Sequence, residues 1–462
     1  MEGYDEGICA GYKVISGAVP PEEQFRIKIC SRQEDAWMEC GIICSTWTGH
    51  KIASHIQMQQ NSLILLRIPI LVIVKNSKTN PKSRTLNILD VKDELKQKNI
   101  SIAMISVFPL YTGTTMAVLD YRDAMTELGY KVVLYQLVLP DKSKRYLESN
   151  FYIEGKKFFI KSLELPFNLL FTLPKDIPDI NEDIVVLTDP ALLKLKLRFP
   201  NSITIFHDLR ELSEFNHNPL RRLFYRYLLR YVKEGDKILA VSKLTENNTK
   251  LLTKKDLKIS VVEPCSRFSV DASIVEKKIT EIRDGKTEIN VLYIAADRPY
   301  KNIKLFINIA RIINLMHLKV RFHFILLSKL RKSTMRLVRL KRVTNLEIID
   351  QVDSVYDIYK KTHILLFPSL IEGFGIPLAE AMTFGIPIIY SDKPPMTDIV
   401  GNYGIQINPY LPDLWIKELI GLSNSKNYEK MAHLALERSK KYTYDKFKEN
   451  LAMALKWFND LY

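Results

Sequence analysis

From about residue 100, the chain alternates between short apolar runs and stretches with helical spacing. Residues 102–107 are apolar, residues 116–128 carry apolar positions at helical intervals up to Gly129, and residues 130–134 are apolar again. Three further strand signals follow, at residues 184–187, 203–206 and 238–241. Alternating strands and helices are typical of a parallel sheet covered by helices, so this part of the chain predicts a doubly wound α/β domain.

A second set of strand signals begins after the charged segment 276–286. Its apolar runs lie at residues 289–294, 320–327, 346–349, 364–367 and 387–390. We therefore predict a first Rossmann-like domain over residues 98–278 and a second over residues 279–440, with a last helix at about 444–461. Two such domains face each other across a cleft where strand ends meet, and this cleft is the expected ligand site.

Residues 1–97 are predicted to be an N-terminal extension outside these two domains. They show no strong helical period and no repeated alternation of strand and helix. Cys40, Cys44 and His50 do not form a metal-site pattern because no second close pair follows, so we expect unpaired thiols. An upstream translation artefact is one hypothesis for this segment. Mass spectrometry of the native protein tests it, because peptides from residues 1–84 would exclude it.

The composition indicates a filled globular core with a basic surface. Apolar residues make up 47% of the 462 residues, and 67 lysines and arginines against 52 acidic residues give a net charge of +15. This surplus favours an anionic partner: a nucleoside diphosphate, an acidic lipid surface or nucleic acid. Five cysteines form no disulfide framework in a chain of this size, which favours a reducing, cytoplasmic setting. The best apolar run, residues 63–74, is too short to span a membrane, so any membrane association is expected to be peripheral.

The most informative chemistry lies between Glu372 and Glu380. The apolar run at residues 364–367 leads into a turn with Gly373 and Gly375, and a proline then favours the start of a helix. Unpaired main-chain amides at a helix start bind anions, so a phosphate is expected over these glycines. Glu380 lies about one helical turn further on, and the two carboxylates can therefore address different ends of one ligand. Neither is placed for a pair of metal ligands.

This stretch resembles the signature of the retaining glycosyltransferases of family 4, the glycosyl transferases group 1. The resemblance implies the GT-B fold, in which two Rossmann-like domains face each other and a C-terminal helix, here in residues 441–462, crosses back onto the first domain. It implies that a glutamate and three main-chain amides meet the donor sugar and diphosphate, at Glu372, Gly373, Phe374 and Gly375. It also implies that Glu380 hydrogen-bonds the nucleotide ribose.

Arg298 and Lys301 follow the strand signal at residues 289–294 and match an arginine and a lysine that reach the donor diphosphate in this family. Two cations stabilise the charge on a departing nucleoside diphosphate, as a divalent metal does elsewhere, so we expect neither a metal nor a cofactor. The sequence departs from the family pattern twice. Ala296-Asp297 stands where a glycine normally precedes the arginine, and residues 327–329 lack the usual glycines.

His207 and Gly113 are the candidate site residues of the first domain. His207 follows the strand signal at residues 203–206 and begins a histidine–aspartate turn similar to one in the family, where the histidine lies near the donor sugar. It is therefore a candidate for contacting the sugar hydroxyls, although a lone histidine is more often structural. Gly113 lies in the first strand–helix loop with Thr114 and Thr115, where relatives often have two glycines beside the diphosphate.

A basic amphipathic helix is predicted after Asn218 and Pro219. Apolar side chains share one face, at Leu220, Leu223, Phe224, Tyr227, Leu228 and Tyr231. Basic side chains share another, at Arg222, Arg226, Arg230 and Lys233. Such a helix is typical of binding to an anionic membrane surface. A packed helix with a solvated basic face explains the same pattern, and both interpretations stay open.

These features predict a metal-independent hexosyltransferase that moves a sugar from a nucleoside diphosphate sugar to a hydroxyl acceptor carried by a glycan, a lipid or a protein. The resemblance alone implies that the reaction retains the configuration at the anomeric carbon. The catalytic candidates are Glu372, His207, Arg298 and Lys301. One alternative is a sugar phosphorylase of the same fold, which would need a pyridoxal phosphate lysine for which the sequence offers no recognisable motif. Another is a non-catalytic protein that binds nucleotides or nucleic acid, for which no arginine–aromatic motif is present. No specific nucleic-acid partner is expected.

Overall fold

The computed structural model describes residues 5–9, 12–16, 24–33, 36–45, 100–107, 113–139, 148–156, 164–214, 218–285 and 288–459. These residues belong to two compact units, Met1–Thr85 and Leu86–Tyr462. No helix within the described ranges combines the length and the apolar character needed to cross a membrane.

The first unit contains two antiparallel strand pairs. The strands Asp5–Cys9 and Tyr12–Ser16 pair with each other, and Gln24–Gln33 pairs with Ala36–Ser45. The sequence analysis did not predict these strands, although apolar and basic residues alternate with a period of two over residues 25–29. Two of the cysteines considered above lie in the last of these strands. His50 and the apolar run 63–74 lie outside the described residues.

The first domain of the second unit is built on a seven-stranded parallel sheet. Its spatial order is Lys258–Val261, Lys237–Ala240, Ile203–Phe206, Ile184–Leu187, Ser101–Ser106, Lys131–Val138 and Phe151–Glu154. The register places Ile102 between Ile184 and Val132 of the two neighbouring strands. The strand order reverses beside Ser101–Ser106, so loops on either side of that point leave the same edge of the sheet and can enclose a ligand.

The second domain is built on a six-stranded parallel sheet. Its spatial order is Leu346–Ile349, Phe322–Leu327, Ile289–Ile294, Ile364–Phe367, Ile388–Ser391 and Ile405–Ile407. The first strand in the sequence, Ile289–Ile294, pairs on one side with Phe322–Leu327 and on the other with Ile364–Phe367. Ile364–Phe367 is buried at all four positions, as expected for a central strand with helices on both faces. The predicted α/β class is confirmed.

Helices cover both sheets. The α-helices are Gly113–Glu127, Glu164–Phe167, Leu173–Asp176, Pro219–Leu228, Lys243–Thr253, Ala272–Asp284, Ile303–Leu315, Lys332–Lys341, Val355–Lys361, Ile376–Thr383, Met396–Ile399, Pro412–Gly421, Ser425–Ser439 and Tyr444–Asn459. Shorter 3-10 turns include Pro190–Leu197, Arg210–Leu212 and Pro299–Lys301.

The C-terminal helix Tyr444–Asn459 packs on the first helix of the first domain. The rings of Phe447 and Tyr121 lie 5.0 Å apart, edge to face. The Lys448 ammonium lies 2.7 Å from the Glu127 carboxylate, and the Tyr444 hydroxyl donates to the same carboxylate at 3.1 Å. The helix Tyr444–Asn459 is therefore anchored on the first domain.

Candidate active site

An ion pair lies at the carboxyl ends of the two central strands of the second sheet. Lys301 is in the loop after Ile289–Ile294, and Glu372 is in the loop after Ile364–Phe367. The Lys301 ammonium donates hydrogen bonds to both carboxylate oxygens of Glu372, at 2.6 and 2.7 Å. The side chains are 14% and 5% exposed. Because the strand order reverses between these two strands, the pair lies where open α/β sheets bind their ligands.

The loop that carries Lys301 is bound to the loop that follows the neighbouring strand. The Tyr293 hydroxyl donates to the main-chain oxygen of Lys301 at 2.6 Å and lies 2.9 Å from Ser369 Oγ. The amide of Leu370 donates to the main-chain oxygen of Tyr300 at 2.7 Å. Buried hydrogen bonds of this kind restrict motion. The lysine is therefore held at a fixed place relative to the glutamate loop.

Arg298 lies in the same loop, with its side chain exposed. Its positive charge acts on Glu211 of the first domain and on Tyr300 of its own loop. In both groups burial raises the pKa and the charge of Arg298 opposes that effect. Arg298 thus lies on the same loop as Lys301, and its charge acts on a carboxyl group of the first domain.

Asp297, one of the two departures from the family pattern, contacts Arg331, which lies two residues beyond the other departure at residues 327–329. Asp297 Oδ2 accepts a hydrogen bond from the Arg331 amide at 2.8 Å, and Asp297 Oδ1 accepts one from the Arg331 guanidinium at 3.1 Å. Arg331 directly precedes the helix Lys332–Lys341, so the aspartate satisfies an amide at a helix start. Burial raises the pKa of Asp297, but the hydrogen bonds from Arg331 outweigh it and leave the pKa below its usual range. The aspartate thus stabilises a loop that lacks the expected glycines.

Gly373 and Gly375 shape the turn that leads into the helix Ile376–Thr383. Gly375 has a φ of 107°, in the left-handed region that favours glycine. Gly373 has no room for a side chain, because a Cβ added there would lie 2.1 Å from the main-chain oxygen of His207. The start of this helix is therefore in direct contact with the first domain.

Phe374 and Gly113 border the same turn. Phe374 is buried, and its ring lies 5.5 Å from that of Tyr442. Gly113 is the first residue of the helix Gly113–Glu127, and a Cβ added there would lie 3.9 Å from Ile376 Cδ1. Gly113, predicted to lie in the first strand–helix loop, is thus the start of the first helix and lies beside the helix start of the other domain.

His207 lies at the carboxyl end of the strand Ile203–Phe206 and is buried. Its Nε2 donates to the main-chain oxygen of Thr188 at 3.0 Å. Burial lowers the pKa of the imidazole to about 4, although the neighbouring Asp208 acts in the opposite direction. The ring is therefore neutral at physiological pH, and a main-chain hydrogen bond fixes its orientation.

Glu380 is a second carboxylate of the cleft, on the helix Ile376–Thr383. It accepts a hydrogen bond from the Tyr359 hydroxyl at 2.7 Å. Burial raises its pKa to about 7; Tyr359 lowers the pKa and the Asp120 carboxylate of the first domain raises it further. Asp120 is itself paired with Arg267, and burial raises its pKa to about 6. Carboxylates of both domains thus titrate near neutral pH at this end of the cleft.

The titration of Glu380 makes the binding of a nucleotide pH-dependent, if its carboxylate accepts hydrogen bonds from ribose hydroxyls. Such bonds favour the ionised form, so affinity is expected to increase as the pH rises through about 7. Below that pH we expect a loss of up to about tenfold in affinity for each pH unit. Calorimetric titration of nucleoside diphosphates between acid and mildly alkaline pH measures this. Glu380→Gln should remove most of the dependence, and an unchanged profile would exclude the role.

Sequence reasoning missed three residues of the site. Tyr359 and Asp120 lie on helices remote from the signature, and nothing local in the sequence connects them to Glu380. Arg210 is different, because it follows the predicted histidine–aspartate turn by two residues, and its guanidinium lies 2.7 Å from the Asp208 carboxylate. The signal that the sequence offered was a charged residue, Arg210, four residues after the end of the strand Ile203–Phe206. Within the described ranges, no cluster of three or more His, Cys, Asp or Glu side chains is arranged to hold a metal ion.

Comparison with known proteins assigns a family to this site. Residues 275–440 match the model of the glycosyl transferases group 1. The O-antigen chain mannosyltransferase RfbU of Salmonella typhimurium is 25% identical over 301 residues, which are 63% of this chain and 75% of RfbU. The residues that match the family model include Lys301, Glu372 and Glu380.

Solved structures share the fold. Sucrose-phosphate synthase from Thermosynechococcus elongatus superposes with a TM-score of 0.62 at 14% identity. The superposition covers 79% of this chain and 100% of the synthase. HepE from Anabaena, in complex with UDP and glucose, superposes with a TM-score of 0.59 at 11% identity, covering 77% of this chain and 99% of HepE.

The two facing parallel sheets with this cleft define the GT-B fold. Residues 275–440 match the glycosyl transferases group 1, and together with the mannosyltransferase relative this match gives glycosyl transfer as the reaction class. The fold and the reaction class that the glutamate signature implied are thus confirmed.

Proposed function

We propose that this protein is a retaining glycosyltransferase that moves a hexosyl group from a nucleoside diphosphate sugar to a hydroxyl acceptor. The Lys301–Glu372 pair carries the proposal, because it places a cation and a carboxylate together beside a helix start. A diphosphate binds to a cation and to main-chain amides, and a carboxylate accepts hydrogen bonds from sugar hydroxyls. The fold neighbour HepE, which holds UDP and glucose, supports a nucleotide sugar as donor.

In this reaction the bond between the anomeric carbon and the diphosphate oxygen breaks, and its electron pair leaves with the nucleoside diphosphate. Lys301, Arg298 and the amides near Gly375 stabilise the negative charge that develops on the leaving oxygen. The acceptor oxygen attacks the oxocarbenium-like carbon on the face that the diphosphate leaves. The acceptor proton passes to the departing diphosphate, so no separate protein base is required.

Glu372 and His207 position the sugar. Glu372 is bound on both oxygens by Lys301, so a donor brings a diphosphate to the lysine while the carboxylate turns toward a sugar hydroxyl. The His207 ring is neutral and fixed by its Thr188 hydrogen bond, which suits a hydroxyl contact and does not suit proton transfer near pH 7. With two cations on one loop, the reaction is proposed to need no resident metal and no organic cofactor.

The proposal is tested by incubating the full-length protein with a panel of nucleotide sugars. We expect one donor to raise the melting temperature by mass action and to be consumed with release of the nucleoside diphosphate. The product's anomeric configuration, measured by NMR, is expected to match that of the donor. Activity should survive EDTA. Inversion would exclude the retaining mechanism, and turnover with a sugar phosphate in place of the nucleotide sugar would favour the phosphorylase alternative.

We also propose that the helix Pro219–Leu228 contacts an anionic membrane surface on the cytoplasmic side. Asn218 caps the helix, accepting a hydrogen bond from the Arg221 amide at 3.1 Å. Leu220 and Leu223 are 62% and 65% exposed, so part of the apolar face is not covered by the domain. Basic side chains flank them, at Arg221, Arg226 and Arg230. Protruding leucines beside arginines suit the boundary between lipid headgroups and acyl chains.

Replacing Leu220 and Leu223 together with serine is expected to abolish co-sedimentation with vesicles that contain anionic lipid. Arg226→Gln with Arg230→Gln should weaken binding and its salt dependence, because each basic residue near such a surface contributes about 1 kcal/mol. Leu340→Ser, another exposed leucine on the helix Lys332–Lys341, is the matched control and should leave binding unchanged. Equal sedimentation of all variants would contradict the proposal.

A further inference from the structure

Arg210 of the first domain contacts the donor loop of the second. Its guanidinium donates to the Tyr300 hydroxyl at 3.0 Å, and the guanidinium carbon lies 5.1 Å from the centre of the Tyr300 ring. Its Nε lies 2.7 Å from the Asp208 carboxylate. A planar guanidinium can bind a carboxylate at one edge and lie against an aromatic ring at the same time, which an ammonium cannot do.

Tyr300 lies between the two cations that the donor diphosphate requires. It follows Arg298 by two residues and directly precedes Lys301. The Lys301 ammonium lies 5.8 Å from the centre of the Tyr300 ring, on which Arg210 also acts. Any movement of this ring therefore moves the loop that carries both cations.

The charge of Arg210 is already balanced, so the residue is not a third ligand for the diphosphate. Burial disfavours the charged guanidinium, but Asp208, Tyr300 and Glu372 outweigh burial and raise the pKa of Arg210 above its usual value. Its hydrogen bonds go to Asp208 and Tyr300, and its carboxylate partner is only 16% exposed. Arg210 can act on the reaction only through the loop that it holds.

The turn that carries Arg210 also contacts the glutamate loop. His207, three residues earlier, approaches Gly373 so closely that no side chain fits between them. One short segment of the first domain, residues 207–210, thus contacts both loops of the donor site: the glycine turn through main chain and the cation loop through a side chain. When the domains meet, both loops are fixed by the same segment.

We infer that Arg210 is a positioning residue that makes the placement of Arg298 and Lys301 depend on the contact between the two domains. The inference rests on the proposed function, since it assigns these cations to the diphosphate. With Arg210 in place, the cations are oriented before the leaving group develops charge, which is the condition for effective electrostatic catalysis. Without it, the loop keeps its own hydrogen bonds but loses its contact with the first domain.

A double-mutant cycle tests the inference. Arg210→Met and Tyr300→Leu are each expected to lower kcat by about tenfold or more and to weaken nucleoside diphosphate binding, with a small change in the KM of the acceptor. The double variant is expected to be no worse than about twofold below the poorer single variant, because both changes remove one contact. Tyr300→Phe keeps the ring and should retain most activity. Arg210→Lys should not restore it.

Controls separate this inference from the proposed function. Arg283→Met, on the exposed face of the helix Ala272–Asp284, should leave kcat and nucleotide affinity unchanged. Circular dichroism and the melting temperature must show that each variant folds. If the wild-type protein binds no nucleoside diphosphate and consumes no nucleotide sugar, the proposed function fails and this inference fails with it. If the wild type is active and the two single effects multiply, or neither variant changes kcat, only the role of Arg210 is overturned.

Discussion

Lys301→Ala is expected to lower kcat for glycosyl transfer by about 100- to 1000-fold, the usual effect of removing one group that stabilises developing negative charge. The substitution is also expected to lower the stability of the fold. Glu372 is 5% exposed and both of its oxygens accept hydrogen bonds from Lys301. The substitution leaves a buried carboxylate without its partner, which costs on the order of 3 kcal/mol of stability. Steady-state kinetics and thermal unfolding measure the two effects separately.

A second substitution tests the stability cost of the unpaired charge. Adding Glu372→Gln to Lys301→Ala removes that charge, so the melting temperature should recover, while kcat stays low because both groups of the proposed site are changed. Lys304→Ala, an exposed lysine three residues further on, is the matched control and should leave both quantities unchanged. Near-normal turnover of the Lys301→Ala variant would contradict the assigned site. A low kcat that recovers together with stability would show that the lysine is needed only for folding.

The central strands could be predicted because their burial leaves a clear sequence signal. Residues 184–187, 203–206, 289–294 and 364–367 were predicted with the bounds that the structure shows. A strand covered on both faces must be apolar over its whole length, so its limits coincide with the limits of the apolar run. The same reasoning located the glycine turn and the helix that follow the last of them.

Three of the four edge strands of the two parallel sheets could not be predicted in this way; the fourth, Leu346–Ile349, was predicted because three of its four residues are apolar. Phe151–Glu154 buries one of its four residues, and Lys258–Val261 is only half-buried throughout. The short strand Ile405–Ile407 was also missed, with one buried residue in three. An edge strand has a neighbour on one side only and often carries polar side chains, so its sequence lacks a continuous apolar run.

Contacts between residues far apart in the sequence cannot be predicted from a local pattern. Arg210 and Tyr300 are separated by 90 positions, and Asp297 and Arg331 by 34. The sequence showed both departures from the family pattern, at Asp297 and at residues 327–329, but it did not show that Asp297 binds Arg331. Motif reasoning therefore named the proposed donor-binding residues and missed the residues that contact them.

The cleft combines cations and carboxylates in pairs. Lys301 with Glu372 and Arg210 with Asp208 lie on opposite domains, and each pair is largely buried. A buried unpaired charge is costly, so pairing lets the site keep its cations in place before a donor arrives. Under the proposed function, an incoming diphosphate replaces Glu372 as the partner of Lys301, while Arg210 stays bound to Asp208. In that proposal, Lys301 binds the ligand and Arg210 positions the loop that carries Lys301.

Gly373→Ala is expected to lower kcat/KM by about 100-fold or more, because a displacement of about 1 Å at a catalytic site has an effect of this size. A Cβ at this position would lie 2.1 Å from the main-chain oxygen of His207 and 3.1 Å from Asp208 Cβ. Main-chain atoms cannot turn aside as a flexible side chain can, so the two domains must separate or the turn must shift. Either movement displaces Glu372 and the start of the helix Ile376–Thr383 from the first domain. Kinetics with saturating acceptor measure the effect.

Gly421→Ala is the matched control, since a Cβ at that position meets no atom within 4 Å. Gly421→Ala should leave kcat/KM unchanged. Gly373→Ala adds the same methyl group, and it should lower kcat/KM by displacing residues of the cleft without unfolding either domain. We therefore expect Gly373→Ala to bind nucleoside diphosphate weakly while its circular dichroism spectrum stays that of the wild type. Wild-type turnover by Gly373→Ala would show that the domains need not meet at His207 during catalysis. In that case the contact seen here would belong to a resting arrangement, and the coupling assigned to residues 207–210 would have to be given up.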